Sequence, residues 1–251
     1  MTGKLITSLL LTILLCNANS GSSLESGLTI YCWQGATAFS NLGDPKFAPK
    51  WKSVLNEASN RIIIEIYPNR GRLLEMMRTA SILYGSTHSG IPKKATEQAL
   101  QIGKDDSADR LLMASELVKE NIKRPRLIII NGFSTFPLLP ENAGECLNIA
   151  SAFGINKETR GRTYLGFEKA HPGPKGDDFF RVFFYFWAGS GGKDMTIKQA
   201  IDKSKEYIDK MVRLMGGDNA EKNFLSTGAA NIYNDLRILG DPNLMYKDLG
   251  R

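Results

Sequence analysis

Apolar residues in this chain come in two rhythms. Short, mostly apolar runs at 28–33, 61–66, 82–85, 127–130, 163–167 and 236–239 have the length of strands. Between them, apolar positions recur at helical spacing. The 47–59 segment carries Trp51, Val54, Leu55 and Ala58 on one face, and 73–80 follows the turn at 68–71 as a short helix. Residues 106–122 read as a strong amphipathic helix with Leu111, Leu112, Ala114, Leu117 and Val118 on its apolar side. Residues 144–153 are also predicted helical, and 179–187 is a very apolar helix or buried segment. A long helix is predicted at 196–215 from Ile197, Ala200, Ile201, Ile208, Met211 and Val212. The unbroken Ile62-Ile63-Ile64 run predicts a strand buried on both faces. Strands alternating with helices in this way imply right-handed crossovers, hence a three-layer α/β/α domain with a mostly parallel sheet.

The first twenty residues stand outside that pattern. Lys4 supplies a positive start, 5–15 is apolar but too short to span a bilayer comfortably, and Ala18-Asn19-Ser20 offers small residues for cleavage before Gly21. The expected organisation is a signal peptide at 1–20, a short polar tether at 21–27 and one domain at 28–251. The protein is therefore expected to be exported: secreted, periplasmic or on the cell surface. A second reading places a lipid anchor on Cys16, although Leu15 precedes it where a small residue is expected. No segment after the signal is long and apolar enough to cross a membrane. Cys32 then falls on a strand and Cys146 on a helix, so two separate core thiols are expected rather than a disulfide.

Composition changes the picture little. The formal charge of +6 is spread along the chain, and no basic stripe interleaves with aromatics, so no nucleic-acid partner is expected. Two histidines, His88 and His171, and the cysteines left after processing sit at unrelated spacings, so neither a metal nor a cofactor is expected. His171 lies in a His-Pro-Gly-Pro turn and reads as a surface residue. Gly189-Ser190-Gly191-Gly192 resembles a phosphate loop in composition only, and Asp177-Asp178 reads as a helix start rather than a cation site.

Candidate chemistry collects where two strands run into small polar loops. In an open α/β sheet ligands gather beyond the carboxyl ends of the strands. One loop is Gly85-Ser86-Thr87-His88-Ser89-Gly90, the other Asn131-Gly132-Phe133-Ser134-Thr135. A histidine on one loop and a nucleophile on its neighbour would form a catalytic dyad.

Taken in order, these segments resemble the caspase, gingipain and legumain group of cysteine peptidases. The resemblance rests on Ile82-Leu83-Tyr84 leading to His88 and on Leu127-Ile128-Ile129-Ile130 leading to Phe133. It continues through Leu147 to Gly154, Tyr164 to Phe167, Ile197 to Ala200 and the closing Leu239-Gly240-Asp241-Pro242, covering about residues 28–246. It implies a caspase/gingipain-like sheet and makes His88 the counterpart of the catalytic histidine. Phe133 then stands where the group has its nucleophilic cysteine, and a phenylalanine cannot be a nucleophile. His88 is also followed by Ser89 before Gly90, and Thr87 replaces a preceding glycine.

Cys146, thirteen positions past Phe133, lies on a core face of its helix and is not expected to substitute. Ser134 is one residue past the expected place and would need His88 as its base; otherwise it is a turn hydroxyl. The resemblance therefore implies an exported pseudopeptidase that binds an extended peptide or protein ligand without cutting it. Its cleft would be lined by Trp33, Gln34, His88, Ser89, Gly90, Ser134 and Thr135. Two alternatives stay open: a hydrolase using Ser134 with His88, and a surface or periplasmic interaction lipoprotein anchored at Cys16.

Overall fold

The computed structural model describes residues 27–35, 40–92, 96–103, 110–136, 147–169, 172–188, 194–225 and 232–250. The predicted leader with Cys16, the 189–192 glycine run, Cys146 and His171 lie outside the described residues. Along the chain come β1 (Thr29–Gln34), β2 (Arg61–Ile66) and β3 (Ile82–Ser86). Three short strands follow: β4 (Ser89–Gly90), β5 (Ala99–Gln101) and β6 (Leu111–Met113). The last three are β7 (Leu127–Asn131), β8 (Thr163–Phe167) and β9 (Leu236–Gly240). Six of them form one sheet in the order β2-β1-β3-β7-β8-β9, parallel except for β9, which runs antiparallel to β8. The short strands make a separate antiparallel sheet in the order β4-β5-β6.

Helices cover both faces of the large sheet. They are α1 (Ala48–Val54), α2 (Arg70–Thr79), α3 (Ala114–Glu120), α4 (Ile149–Ala152), α5 (Gly173–Trp187), α6 (Ile197–Leu225) and α7 (Ile232–Asp235). Alternation along the strands decides which core each side chain enters. Ile30, Cys32, Ile82, Tyr84, Leu127, Ile129, Leu165 and Phe167 join α1, α5 and α6 on one face. Tyr31, Trp33, Leu83, Ile128, Ile130 and Tyr164 join α2, α3 and α4 on the other. Helix α5 contributes most to the first core through Phe179, Phe180, Phe183, Phe184 and Trp187, all buried. Each such side chain adds about 1.5–3 kcal/mol by burial. The predicted three-layer α/β architecture is present.

Several local expectations change. The 106–122 helix is instead strand β6 followed by α3, because Leu111–Met113 pairs antiparallel with β5 and buries Leu112. The Glu116 carboxylate accepts from Met113 N–H at 2.8 Å, and Glu97 accepts from Ser115 N–H at 2.6 Å, so α3 starts at Ala114. Strand β2 is half-buried along Ile62-Ile63-Ile64 rather than buried on both faces, because it is an edge strand. The 47–59 helix stops at Val54, and Asn56 takes a left-handed φ of 57° just beyond it. Helix α5 begins six residues earlier than predicted, at Gly173, with Pro174 in its first turn, where a missing N–H costs nothing. Asp177 and Asp178 thus lie within the helix and do not start it.

Candidate functional site

Strands β3 and β7 are parallel neighbours, so their carboxyl ends emerge side by side. Their exits are pressed together. Thr87 N–H donates to the Asn131 carbonyl at 3.0 Å. A Cβ on Gly132 would lie 1.5 Å from the Thr87 carbonyl oxygen, so a glycine is what lets the two backbones meet. His88 and Phe133 each follow directly on this contact. Gly132→Ala must therefore push the loops apart; the expected loss is about 1–3 kcal/mol, measured by urea denaturation.

The hydroxyl next to Phe133 is engaged elsewhere. Ser134 holds a left-handed φ of 49°. Its Oγ donates to the Glu168 carbonyl at 3.3 Å, and its own carbonyl accepts from Gln98 Nε2 at 2.6 Å. Both bonds fix a turn. Phe133 projects outward and is 36% exposed, and Ile91, just past the histidine loop, is 55% exposed.

Two of the predicted cleft residues belong to the core instead. Trp33 is fully buried, stacked on Tyr31 with ring centroids 5.9 Å apart. Its indole fills the space where Gly85 has no side chain: a Cβ there would sit 2.3 Å from the ring. Thr135 is also fully buried. Its Oγ1 donates to the Ile130 carbonyl at 2.8 Å and accepts from Phe167 N–H at 3.0 Å, tying the β7 exit to β8. Neither presents surface to a ligand. Gln34 is nearly buried at the end of β1, where its side chain accepts from Gly43 N–H at 3.3 Å and donates to the Tyr67 hydroxyl at 3.4 Å.

Ser89 and Gly90 form β4, the outer strand of the small sheet. Gln101 N–H donates to the His88 carbonyl at 2.9 Å, so in this antiparallel ladder His88 and Gly90 turn their backbone groups toward β5. Ser89 turns its own away. Its Oγ is buried without a partner among the described residues, whereas a Cβ on Gly90 would meet only open space. His88 itself is half-buried.

Beneath these tips lies a polar centre that sequence reading missed. Asp177 on α5 is fully buried and gathers three carboxyl-end segments. Its carboxylate accepts from the Tyr84 hydroxyl of β3 at 2.5 Å and from Asn131 Nδ2 of β7 at 2.7 Å. From the segment after β1 it accepts Asn41 N–H at 2.8 Å and the Ser40 hydroxyl at 3.0 Å. Burial pushes the Asp177 carboxyl above the usual carboxylate range, and these four donors pull the other way.

One turn on, Arg181 is equally buried, pairs with Asp178 and lies over the Phe47 ring at 5.1 Å. Burial lowers its pKa to about 10, against the pull of Asp177. The available signal was an Asp and an Arg at i and i+4 within an otherwise aromatic helix. Such a pair on an apolar face has to find partners inside.

Cys32 is a free, fully buried thiol that burial and the nearby Asp177 hold protonated, which leaves it inert. Among the described residues no group of three or more His, Cys, Asp or Glu side chains is placed to hold a metal ion. Among the same residues, no helix is long and apolar enough to cross a membrane.

No family model matches this chain, and no curated protein matches it. Among solved structures it is similar to the crystal structure of the Drosophila initiator caspase Dronc, at 7% identity and a TM-score of 0.44, over 92% of this chain and 95% of that one.

Proposed function

We propose that this chain is an exported, non-catalytic peptide-binding protein built on a peptidase-like scaffold. One observation carries the reading: at the junction of the β3 and β7 tips, the position expected to hold a thiol is an exposed Phe133, and the adjacent Ser134 hydroxyl is committed to the Glu168 carbonyl. A serine nucleophile needs its proton directed at a base, and a bond to a main-chain carbonyl directs it away. The neighbouring features suit a peptide. Strand β4 has no neighbouring strand on its outer side among the described residues, Gly90 is open above, and Phe133 and Ile91 are each exposed apolar side chains that an extended ligand could cover. The sequence resemblance to cysteine peptidases adds ancestry for such a groove.

The test exposes a random peptide mixture to residues 21–251 and to a His88→Ala variant, with products and retained peptides read by mass spectrometry. Neither protein is expected to cleave, and the unaltered chain is expected to retain a subset of peptides. Phe133→Asp, a change at an exposed position, should weaken that retention about tenfold or more. Site-specific cleavage that disappears in His88→Ala would overturn the reading and favour a hydrolase using Ser134.

A further inference from the structure

The outer edge of β2 has the chemistry of a pairing surface. In a parallel strand each residue sends its N–H and C=O to the same side. Arg61 N–H donates to the Leu28 carbonyl at 2.9 Å and Tyr67 N–H to the Gln34 carbonyl at 2.9 Å, so the odd-numbered residues face β1. Ile62, Ile64 and Ile66 therefore turn their backbone groups outward, where β2 has no neighbouring strand among the described residues. Natural edge strands are protected by proline, bulges, short length or inward charges. Arg61-Ile62-Ile63-Ile64-Glu65-Ile66 has no proline or glycine, three consecutive β-branched residues and charges that cancel. Ile66 is 39% exposed at its end.

We propose that this edge joins two copies of the chain, with the β2 strands antiparallel about a two-fold axis through Ile63. Antiparallel pairing exchanges hydrogen bonds between residues that both point outward, so Ile62 of one copy faces Ile64 of the other and vice versa. That register places Ile63 against its own counterpart and sets Arg61 of each copy opposite Glu65 of the second copy, on the same face of the joint sheet. The charges select it. Arg61 is exposed and forms no ion pair among the described residues. Glu65 is held in place by the Tyr31 hydroxyl at 3.1 Å and Arg72 Nε at 2.9 Å. Slipping the pairing by two residues in either direction sets Arg61 opposite Tyr67 or Ile63 and forfeits both contacts. The result is an isologous interface that closes on itself, so assembly stops at two copies. This inference is independent of the peptide-binding reading.

The experiment is sedimentation velocity of residues 21–251 over a concentration series. A species of twice the chain mass is expected. Arg61→Glu sets two carboxylates against each other at both ends, and Glu65→Arg does the same with guanidinium groups, so each variant alone should sediment as a monomer. Their equimolar mixture should recover the dimer, because each charge then meets its opposite. Circular dichroism of both variants checks that they are folded. Ile63→Cys should form a covalent dimer on mild oxidation, since facing non-hydrogen-bonded residues place their Cα atoms about 4.5 Å apart, within disulfide reach. A wild-type monomer at every concentration would overturn the proposal. So would a dimer that survives Arg61→Glu, or a mixture of the two variants that stays monomeric.

Discussion

Asp177→Ala is expected to cost the protein about 3–5 kcal/mol, read as a fall in the urea midpoint with an unchanged slope. Four donors lose their acceptor at once: Tyr84 Oη, Asn131 Nδ2, Ser40 Oγ and Asn41 N–H. A buried donor left unpaired costs about 1–3 kcal/mol, and neighbours in one network do not add simply. Arg181, itself buried, also loses a favourable charge and keeps Asp178 as its ion-pair partner among the described residues.

A companion effect on pH dependence follows from the same burial. A carboxyl whose folded pKa is raised binds its proton more tightly in the native state than in the unfolded chain. Its contribution to stability is therefore full below the ordinary aspartate value of about 3.9 and is lost as pH rises through the folded pKa. The groups facing it are Tyr84, Asn131, Ser40, Asn41, Arg181 and Cys32. Asp177→Asn removes the titration while keeping one acceptor oxygen. The stability difference, wild type minus Asp177→Asn, should shrink as pH is raised from 3 to 7. A constant difference would mean that Asp177 ionises inside the protein as easily as outside.

The two halves of the site differ in how far the sequence exposed them. The loops were legible because the strands that lead into them, 82–86 and 127–131, announce themselves by apolar runs, and the carboxyl ends of parallel strands follow from topology. Residues inside the strands were harder to place. Trp33 and Gln34 are adjacent at the end of β1, yet alternation sends the indole into the core while Gln34 links to Gly43 and Tyr67. Nothing in the local sequence states which face is which until the sheet order is known. The 106–122 region misled for a related reason. Its apolar residues fit a helical stripe, but Leu111–Met113 satisfies its backbone in an antiparallel ladder with the preceding strand Ala99–Gln101, and that pairing overrides local periodicity. Asp177 and Arg181 were missed because acidic residues near a helix start usually interact with the helix terminus, and here the first turns of α5 are buried against β3 and β7.

Trp33→Ala separates a core role from a ligand-contacting one. A cleft tryptophan could be truncated with little loss of stability and a marked loss of ligand retention. Trp33 is sealed inside instead, so truncation should cost about 3–5 kcal/mol and lower Tm by roughly 10 °C. The same indole explains why residue 85 is glycine, since a Cβ there would meet its six-membered ring at 2.3 Å. Gly85→Ala alone should therefore destabilise through overpacking, by about 1–3 kcal/mol. In the Trp33→Ala background the new methyl enters space the ring has vacated. The cost of Gly85→Ala should then fall by about 0.5–3 kcal/mol, measured as the coupling in a double-mutant cycle by thermal and urea unfolding. Additive costs would mean that the ring does not occupy the space above Gly85. Trp33 would then return to consideration as a wall of the cleft, and its truncation should weaken peptide retention.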